Sequence, residues 1–375
     1  MKKKIFLWIG SIVILVAIGL VLLHYRSSTS GKEVTLPVVA DLTGPIAIYG
    51  QWAIDGLNMS VEDINSAGGI NGKKVKLIVE DGQSDPQKGV NAFRKLLSTL
   101  KPRVIVVATN SSTAMACAPI SNKKNVVLFS PISSSPSITH AGDFVFRNRV
   151  SGYYEAKEMA EYAAKLLKLK KVALVIINNE AAQGYIDAFT KTFEALGGKI
   201  TKTVLINPGE TDYRTPIIQA KSSNPEAVFL ATIVKDAALF IRQSAELGFK
   251  PQWLSMTTIQ NEDLFKIAGE AAEGLLFVAE GGDESDSVFR EFAQRFKKKF
   301  GYKPTMNALN GYDAGKILSQ LVAKYGNNGE KIKDGLYQVQ SYHGVGGILS
   351  FDKNGDANKP LKLFIVQKGR FALYK

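Results

Sequence analysis

The sequence predicts an α/β protein of two doubly wound parallel-sheet lobes, preceded by one N-terminal transmembrane helix. Three observations carry that expectation. Apolar strand-like runs alternate with amphipathic helical runs in two successive series, the pattern of right-handed βαβ units. Two neighbouring strands end in clustered hydroxyls: Val104–Ala108 leads into Asn110-Ser111-Ser112-Thr113, and Val126–Ser130 into Pro131-Ile132-Ser133-Ser134-Ser135. A terminal β segment then breaks the alternation, which implies that the chain passes between lobes more than once.

The elements follow in order from the N-terminus. Met1-Lys2-Lys3-Lys4 precedes a charge-free, mainly apolar run from Ile5 to Leu23, closed by His24-Tyr25-Arg26. About 20 apolar residues span a bilayer, whereas a signal-peptide core has about 7–15. The run lacks a clean small-x-small cleavage site, so an uncleaved anchor is expected rather than a removed signal. Without a following cysteine, a lipid-modified N-terminus is not expected. The lysines orient the N-terminus inward and the body outward. Ser27 to Lys32 reads as a tether.

In the first series, strands are expected at Thr35–Ala40, Val75–Glu80, Val104–Ala108, Val126–Ser130 and Phe144–Arg147. A second series follows at Lys171–Ile177, Lys199–Leu205, Ala227–Ala231, Gln252–Ser255 and Leu275–Val278. Helical periodicity fills the gaps at Gly50–Ala67, Pro86–Leu100, Tyr154–Leu166, Tyr185–Leu196, Asp212–Ser222 and Asp236–Leu247. Gly68-Gly69-Ile70-Asn71-Gly72 stops one helix and opens the next strand. In the tail, Gly347–Phe351, the turn Asp352-Lys353-Asn354-Gly355 and Leu361–Val366 read as a hairpin, with a last strand near Phe371–Leu373.

The two serine-rich strand ends point to a binding site. Helix N-termini present unpaired backbone N–H groups and partial positive charge, which attract carboxylates. In open α/β sheets, ligands sit beyond the carboxyl ends of the strands. The lysine and glycine pattern of a phosphate loop is missing.

Composition excludes several other chemistries. The charge of +13, from 47 basic and 34 acidic residues, is spread widely, and Lys297-Lys298-Lys299 reads as a solvated helix face. Without aromatic and arginine interleaving, nucleic acid is not an expected partner. The single cysteine, Cys117, lies in an apolar helical stretch and reads as a small buried hydrophobe. His24, His140 and His343 have no ligand-like spacing. No metal, cofactor or enzymatic activity is expected. Gly344-Val345-Gly346-Gly347 is not a dinucleotide fingerprint, and Glu62 and Asp63 read as surface charges.

An ordered set of motifs then matches a known family. It runs through Leu42-Thr43-Gly44-Pro45-Ile46-Ala47-Ile48-Tyr49-Gly50, Ala67–Gly72, Asp81 with Asp85-Pro86, Ser111-Ser112 and Ser130-Pro131. It continues through Phe144 with Arg147, Gln183-Gly184-Tyr185 and Ile267–Gly274. From Glu33 onward the chain resembles a type I periplasmic binding protein of the branched-chain amino-acid (leucine/isoleucine/valine) group that feeds ABC transporters. The resemblance implies two lobes joined by three hinge crossings, near Asn148–Gly152, Val278–Gly281 and Ser341–Gly344. Lobe 1 is then expected at 33–149 plus 280–342, and lobe 2 at 150–279 plus 343–375. Arg149, Ala279 and Tyr342 are the expected hinge residues.

The resemblance also implies roles at the site. Ser111 and Ser134 match hydroxyl donors to a ligand carboxylate, helped by the amides of Ser112 and Ser134. Ile132 matches a carbonyl that accepts from a ligand ammonium, Tyr49 an aromatic wall, and Gln183 a contact from the second lobe. Ser133, Thr232 and Thr257 complete the expected ligand-binding set.

Thr257 is also a departure, because it falls where amino-acid binders carry an acid. A ligand ammonium closed in without a partner costs roughly 3–5 kcal/mol, about a hundred- to a thousandfold or more in affinity. Unless Asp236, Glu280 or another acid reaches in, the expected ligand is a small carboxylate or amide without a free ammonium. The expected function is that of an extracytoplasmic solute-binding protein of a branched-chain-amino-acid-type ABC transporter, whose expected partners are a small-molecule ligand and a membrane permease, and which is expected to act as a monomer. The alternative is a ligand-sensing ectodomain working with a separate signalling receptor.

Overall fold

A computed structural model describes residues 33–281 and 285–374. The expected membrane helix lies outside these. Among the described residues, no helix is long and apolar enough to cross a membrane.

The first sheet holds β1 (Val34–Ala40), β2 (Val75–Asp81), β3 (Val104–Ala108), β4 (Val127–Ser130) and β5 (Val145–Arg147). Their order is β2-β1-β3-β4-β5, and every pairing is parallel. β3 and β4 are wholly buried, as continuous apolar runs in a sheet covered on both faces should be. Around this sheet pack α1 (Ala47–Ser66), α2 (Pro86–Leu100) and α3 (Ser111–Lys124).

The second sheet is built around α4 (Gly152–Glu161), α5 (Ala182–Ala195), α6 (Arg214–Ser222), α7 (Val234–Glu246) and α8 (Asp263–Ala268). Its parallel strands are β6 (Lys171–Ile177), β7 (Lys199–Ile206), β8 (Ala227–Ala231), β9 (Gln252–Ser255) and β10 (Leu276–Glu280). The chain then adds α9 (Ser287–Phe300), α10 (Met306–Tyr325) and α11 (Gly329–Tyr337), with α10 lying against α1.

The tail departs from expectation. β11 (Tyr342–Gly344), β12 (Gly347–Phe351) and β13 (Ala357–Asn358) form a small three-stranded sheet. Leu349, Phe351 and Ala357 are buried in the same core as Val38, Phe129 and Ala314, on the first sheet. Only β14 (Leu361–Gln367) and β15 (Arg370–Leu373) join the second sheet, antiparallel at the β10 edge. The hairpin partner expected for β12 is Leu361–Val366, but β12 pairs with β11 and β13 instead, and residues 343–358 pack with the first lobe rather than the second. The third crossing lies between Asn358 and Leu361, not at Ser341–Gly344. Tyr342 is paired with Leu349 and packed on the first core, so it is not at the crossing. Alternating apolar residues mark a strand without saying which of two sheets it will join.

Candidate functional site

The site is assembled where the strands of both sheets end. At the tip of β3, Asn110 caps α3 by accepting from the Thr113 N–H at 2.8 Å. Its own N–H donates to the buried carboxylate of Asp41 at 3.0 Å, which fixes the turn. Ser111 and Ser112 thereby open α3 on the cleft side. The Ser135 N–H donates to Ser111 Oγ at 3.2 Å, joining the two hydroxyl-rich strand ends.

The serines of the second rim divide by role. Ser133 is buried; its hydroxyl donates to the Thr109 carbonyl at 3.1 Å and accepts from Ser130 Oγ at 2.8 Å. It ties β3 to β4 and is spent on structure. Ser134 instead faces the second lobe, with its Oγ 3.4 Å from the Tyr185 hydroxyl, while its carbonyl accepts from the Gly152 N–H at 2.8 Å. Ile132 is half-buried against the first core. Arg147, fully buried, steadies this rim by donating to the Ser135 carbonyl at 2.6 Å and to Asp356 Oδ1 at 2.7 Å.

From the second lobe the contacts differ from those expected. Gln183 is exposed and donates to Asp187 on its own helix at 2.8 Å. Tyr185, two residues on, is the aromatic that reaches Ser134. Gly184 permits this approach, since a Cβ there would lie 2.5 Å from Pro136 Cγ of the other lobe. Glu180, which sequence reasoning missed, accepts from Ser112 Oγ at 2.9 Å across the cleft. Tyr49 also crosses: the Val234 N–H at the start of α7 donates to its hydroxyl at 3.5 Å, and burial pushes the phenol up to about 12. Thr232, beyond the end of β8, is buried, and its Oγ1 has no hydrogen-bond partner among the described residues.

Thr257 donates from Oγ1 to the carboxylate of Glu155 and, at 3.3 Å, to the Val278 carbonyl. An acid therefore does stand beside this threonine, brought from α4, 102 positions earlier. Asp236 does not serve, since its carboxylate is taken by the Gly209 N–H at 3.2 Å. Glu155 is fully buried and accepts from Arg149 Nη2 at 3.0 and 2.9 Å. Burial raises its carboxyl above the usual range, against the pull of Arg149.

Arg149 continues into the hinge, donating to Glu280 Oε1 at 2.7 Å. Glu280 also accepts from the Val150 N–H at 3.2 Å and lies 3.3 Å from Lys359 Nζ. Burial works to raise its carboxyl, but Lys359 and Arg149 outweigh it and hold it low. One charged side chain from each crossing thus joins a single hub, with Arg149 and Lys359 both paired to Glu280. Asp313 on α10 accepts from the Val345 and Gly346 N–H groups at 2.9 and 2.8 Å. Burial raises its carboxyl to about 6, with Lys359 opposing. Ala279 is buried in β10, one residue before the hub. Among the described residues, no group of side chains is arranged to hold a metal ion.

Comparison with known proteins agrees with this architecture. A family model described as periplasmic binding protein matches residues 33–370. A Leu/Ile/Val-binding protein homolog of Brucella abortus is 27% identical over 330 residues, covering 88% of each chain. The leucine-, isoleucine-, valine-, threonine-, and alanine-binding protein of Pseudomonas aeruginosa is 25% identical over 331 residues, again 88% of each. The crystal structure of a leucine binding protein from Thermotoga maritima superposes with a TM-score of 0.84 at 28% identity, over 91% of this chain and 98% of that one.

Proposed function

From the premise that the chain belongs to the periplasmic binding protein family, we propose that it captures a small carboxylate or amino-acid-like solute between two closing lobes. It is a solute-binding protein of the branched-chain-amino-acid ABC transporter type, and it works outside the cytoplasm. The observation that carries the ligand assignment is the joining of the two hydroxyl-rich strand ends, where the Ser135 N–H donates to Ser111 Oγ, with Ser134 Oγ facing the Tyr185 hydroxyl of the other lobe. Hydroxyls and the free N–H groups of the α3 N-terminus converge there, which suits one carboxylate. Relatives named for leucine, isoleucine and valine support a ligand of that size.

The lobes are 33–149 with 285–358, and 150–281 with 361–374, and closure turns about the three crossings. The protein hands its solute to a membrane permease as a monomer, held at the membrane by the apolar run Ile5 to Leu23. Native mass spectrometry of the purified exported body, followed by titration calorimetry with whatever co-purifies, tests the reading. A bound small carboxylate or amino acid supports it; an exclusively cationic ligand overturns it.

A further inference from the structure

Folding gathers at one end of the first sheet a positive charge that the sequence scatters. Lys73 and Lys74 stand in the turn before β2, Lys101 and Arg103 between α2 and β3, and Lys123 and Lys124 at the end of α3. Two side-chain bonds tie the end of α10 into this pole. Asn71 Nδ2 donates to the Ala323 carbonyl at 3.1 Å, and Asn327 Nδ2 to the Lys101 carbonyl at 3.4 Å. All six basic residues are exposed. The acids of this pole are already engaged: Glu33 with Lys76 at 4.0 Å, and Asp143 and Glu330 with Lys333 at 2.6 and 3.1 Å. Among the described residues, the six cations are left without an ion-pair partner.

Helix ends explain only part of this. Lys101 caps α2, and Lys123 and Lys124 lie in the last turn of α3, where partial negative charge favours cations. Lys73, Lys74 and Arg103 lie beyond any helix.

The point at which the chain enters the fold identifies the occupant. β1 starts at this same pole, with its Val34 N–H donating to the Lys74 carbonyl at 2.9 Å. Ser27 to Lys32 leads here from the apolar run Ile5 to Leu23. Such a tether reaches about 20 Å when fully extended and about 14 Å on average as a flexible chain. The pole is thereby kept within about two Debye lengths of any bilayer that holds the run.

We propose that the pole carrying Lys73, Lys101, Arg103 and Lys124 docks on anionic phospholipid headgroups of the bilayer to which the N-terminal run anchors the chain. This rests on the anchor reading above and extends it to the folded body. A lysine or arginine beside an anionic leaflet strengthens association by roughly fivefold, so the six together outweigh the freedom of a short tether. Seated in this way, the first sheet points the carboxyl ends of its strands, and the cleft with them, away from the bilayer. That orientation serves capture of solute; transfer to a permease then requires the body to lift off.

The full-length chain in nanodiscs tests it, with phosphatidylcholine alone compared against discs holding about a third phosphatidylglycerol. Lysines are acetylated with acetic anhydride, an uncharged reagent, and each rate is read by mass spectrometry. Lys73, Lys74, Lys101, Lys123 and Lys124 should react at least about threefold more slowly on the anionic discs. Salt at about 1 M should erase the difference. Lys199, at the start of β7, and Lys250, just before β9, belong to the second lobe and should react alike on both discs. Combining Lys101→Gln, Arg103→Gln, Lys123→Gln and Lys124→Gln changes only exposed, unpaired side chains. In that variant Lys73 and Lys74 should react within about twofold on the two discs. Equal rates on both discs, slowing that survives about 1 M salt or the combined variant, or equal slowing of Lys199 and Lys250 overturns this inference alone. Full-length chain recovered free of both kinds of disc overturns the anchor reading with it.

Discussion

Ser112 Oγ and Glu180 Oε2 lie 2.9 Å apart across the cleft, a hydrogen bond between residues of opposite lobes. With the approach of Ser134 to Tyr185 and of Val234 to Tyr49, it places the molecule in a lobes-together arrangement. Each contact is long or exposed, so the closure is held lightly until a ligand adds to it.

Glu180→Ala should therefore open the ligand-free protein without damaging the ligand seat. A single exposed hydrogen bond contributes about 0.5–1.5 kcal/mol. Apparent affinity should fall no more than about tenfold, through the smaller fraction already competent to bind. Small-angle scattering of the ligand-free variant should show a larger radius of gyration than the wild type; identical profiles would count against a latch.

The serines of the two rims should separate by phenotype. Ser111→Ala and Ser134→Ala each remove a hydroxyl facing the ligand and should weaken binding by about 1–3 kcal/mol with little change in melting temperature. Ser133→Ala instead breaks the tie from Ser130 to the Thr109 carbonyl and should lower the melting temperature. Calorimetry and thermal melts on the three variants distinguish the roles.

Glu280, at the second crossing, is bound by groups from the other two, so its removal should be felt across the molecule. Glu280→Gln leaves Arg149 and Lys359 buried with one partner fewer, and should cost about 3–5 kcal/mol in chemical denaturation. A loss under about 1 kcal/mol would show that the hinge tolerates the uncompensated charge.

The raised carboxyl of Asp313 gives a pH dependence of definite sign. Its folded value of about 6 exceeds the ordinary 3.8, so between those limits the folded state binds more protons than the unfolded one. This group's contribution therefore falls as pH rises from about 4 to about 6. Asp313→Asn should flatten that part of the stability profile, read as melting temperature against pH; an unchanged slope would remove Asp313 as its source.

Much of the fold was legible because buried parallel strands are continuous apolar runs. Lys171–Ile177, Ala227–Ala231 and Gln252–Ser255 are strands with the bounds the sequence implies. Hydroxyls after β3 and β4 marked the rim of the site, since polar residues just past a buried strand must cap, turn or bind. Pairings across the cleft were not legible. Local pattern identifies Gln183-Gly184-Tyr185 as one motif, but only the turn of the helix shows that Tyr185 reaches Ser134 while Gln183 bonds Asp187. Glu155 was invisible for the same reason: its link to Thr257 spans 102 positions, and nothing local marks it. The tail was misassigned because β14 resembles a partner for β12 in every local respect.

The late arrival of β14 has a consequence for how the protein is made. The β10 edge of the second sheet stays without its neighbour until Leu361–Gln367 has been synthesised, and β15 can add only after that. Half of the molecule thus waits, incomplete, for its final segment. A chain bound for the far side of a membrane gains from that delay, because an unfinished sheet is still thread rather than knot when it meets the translocation pore.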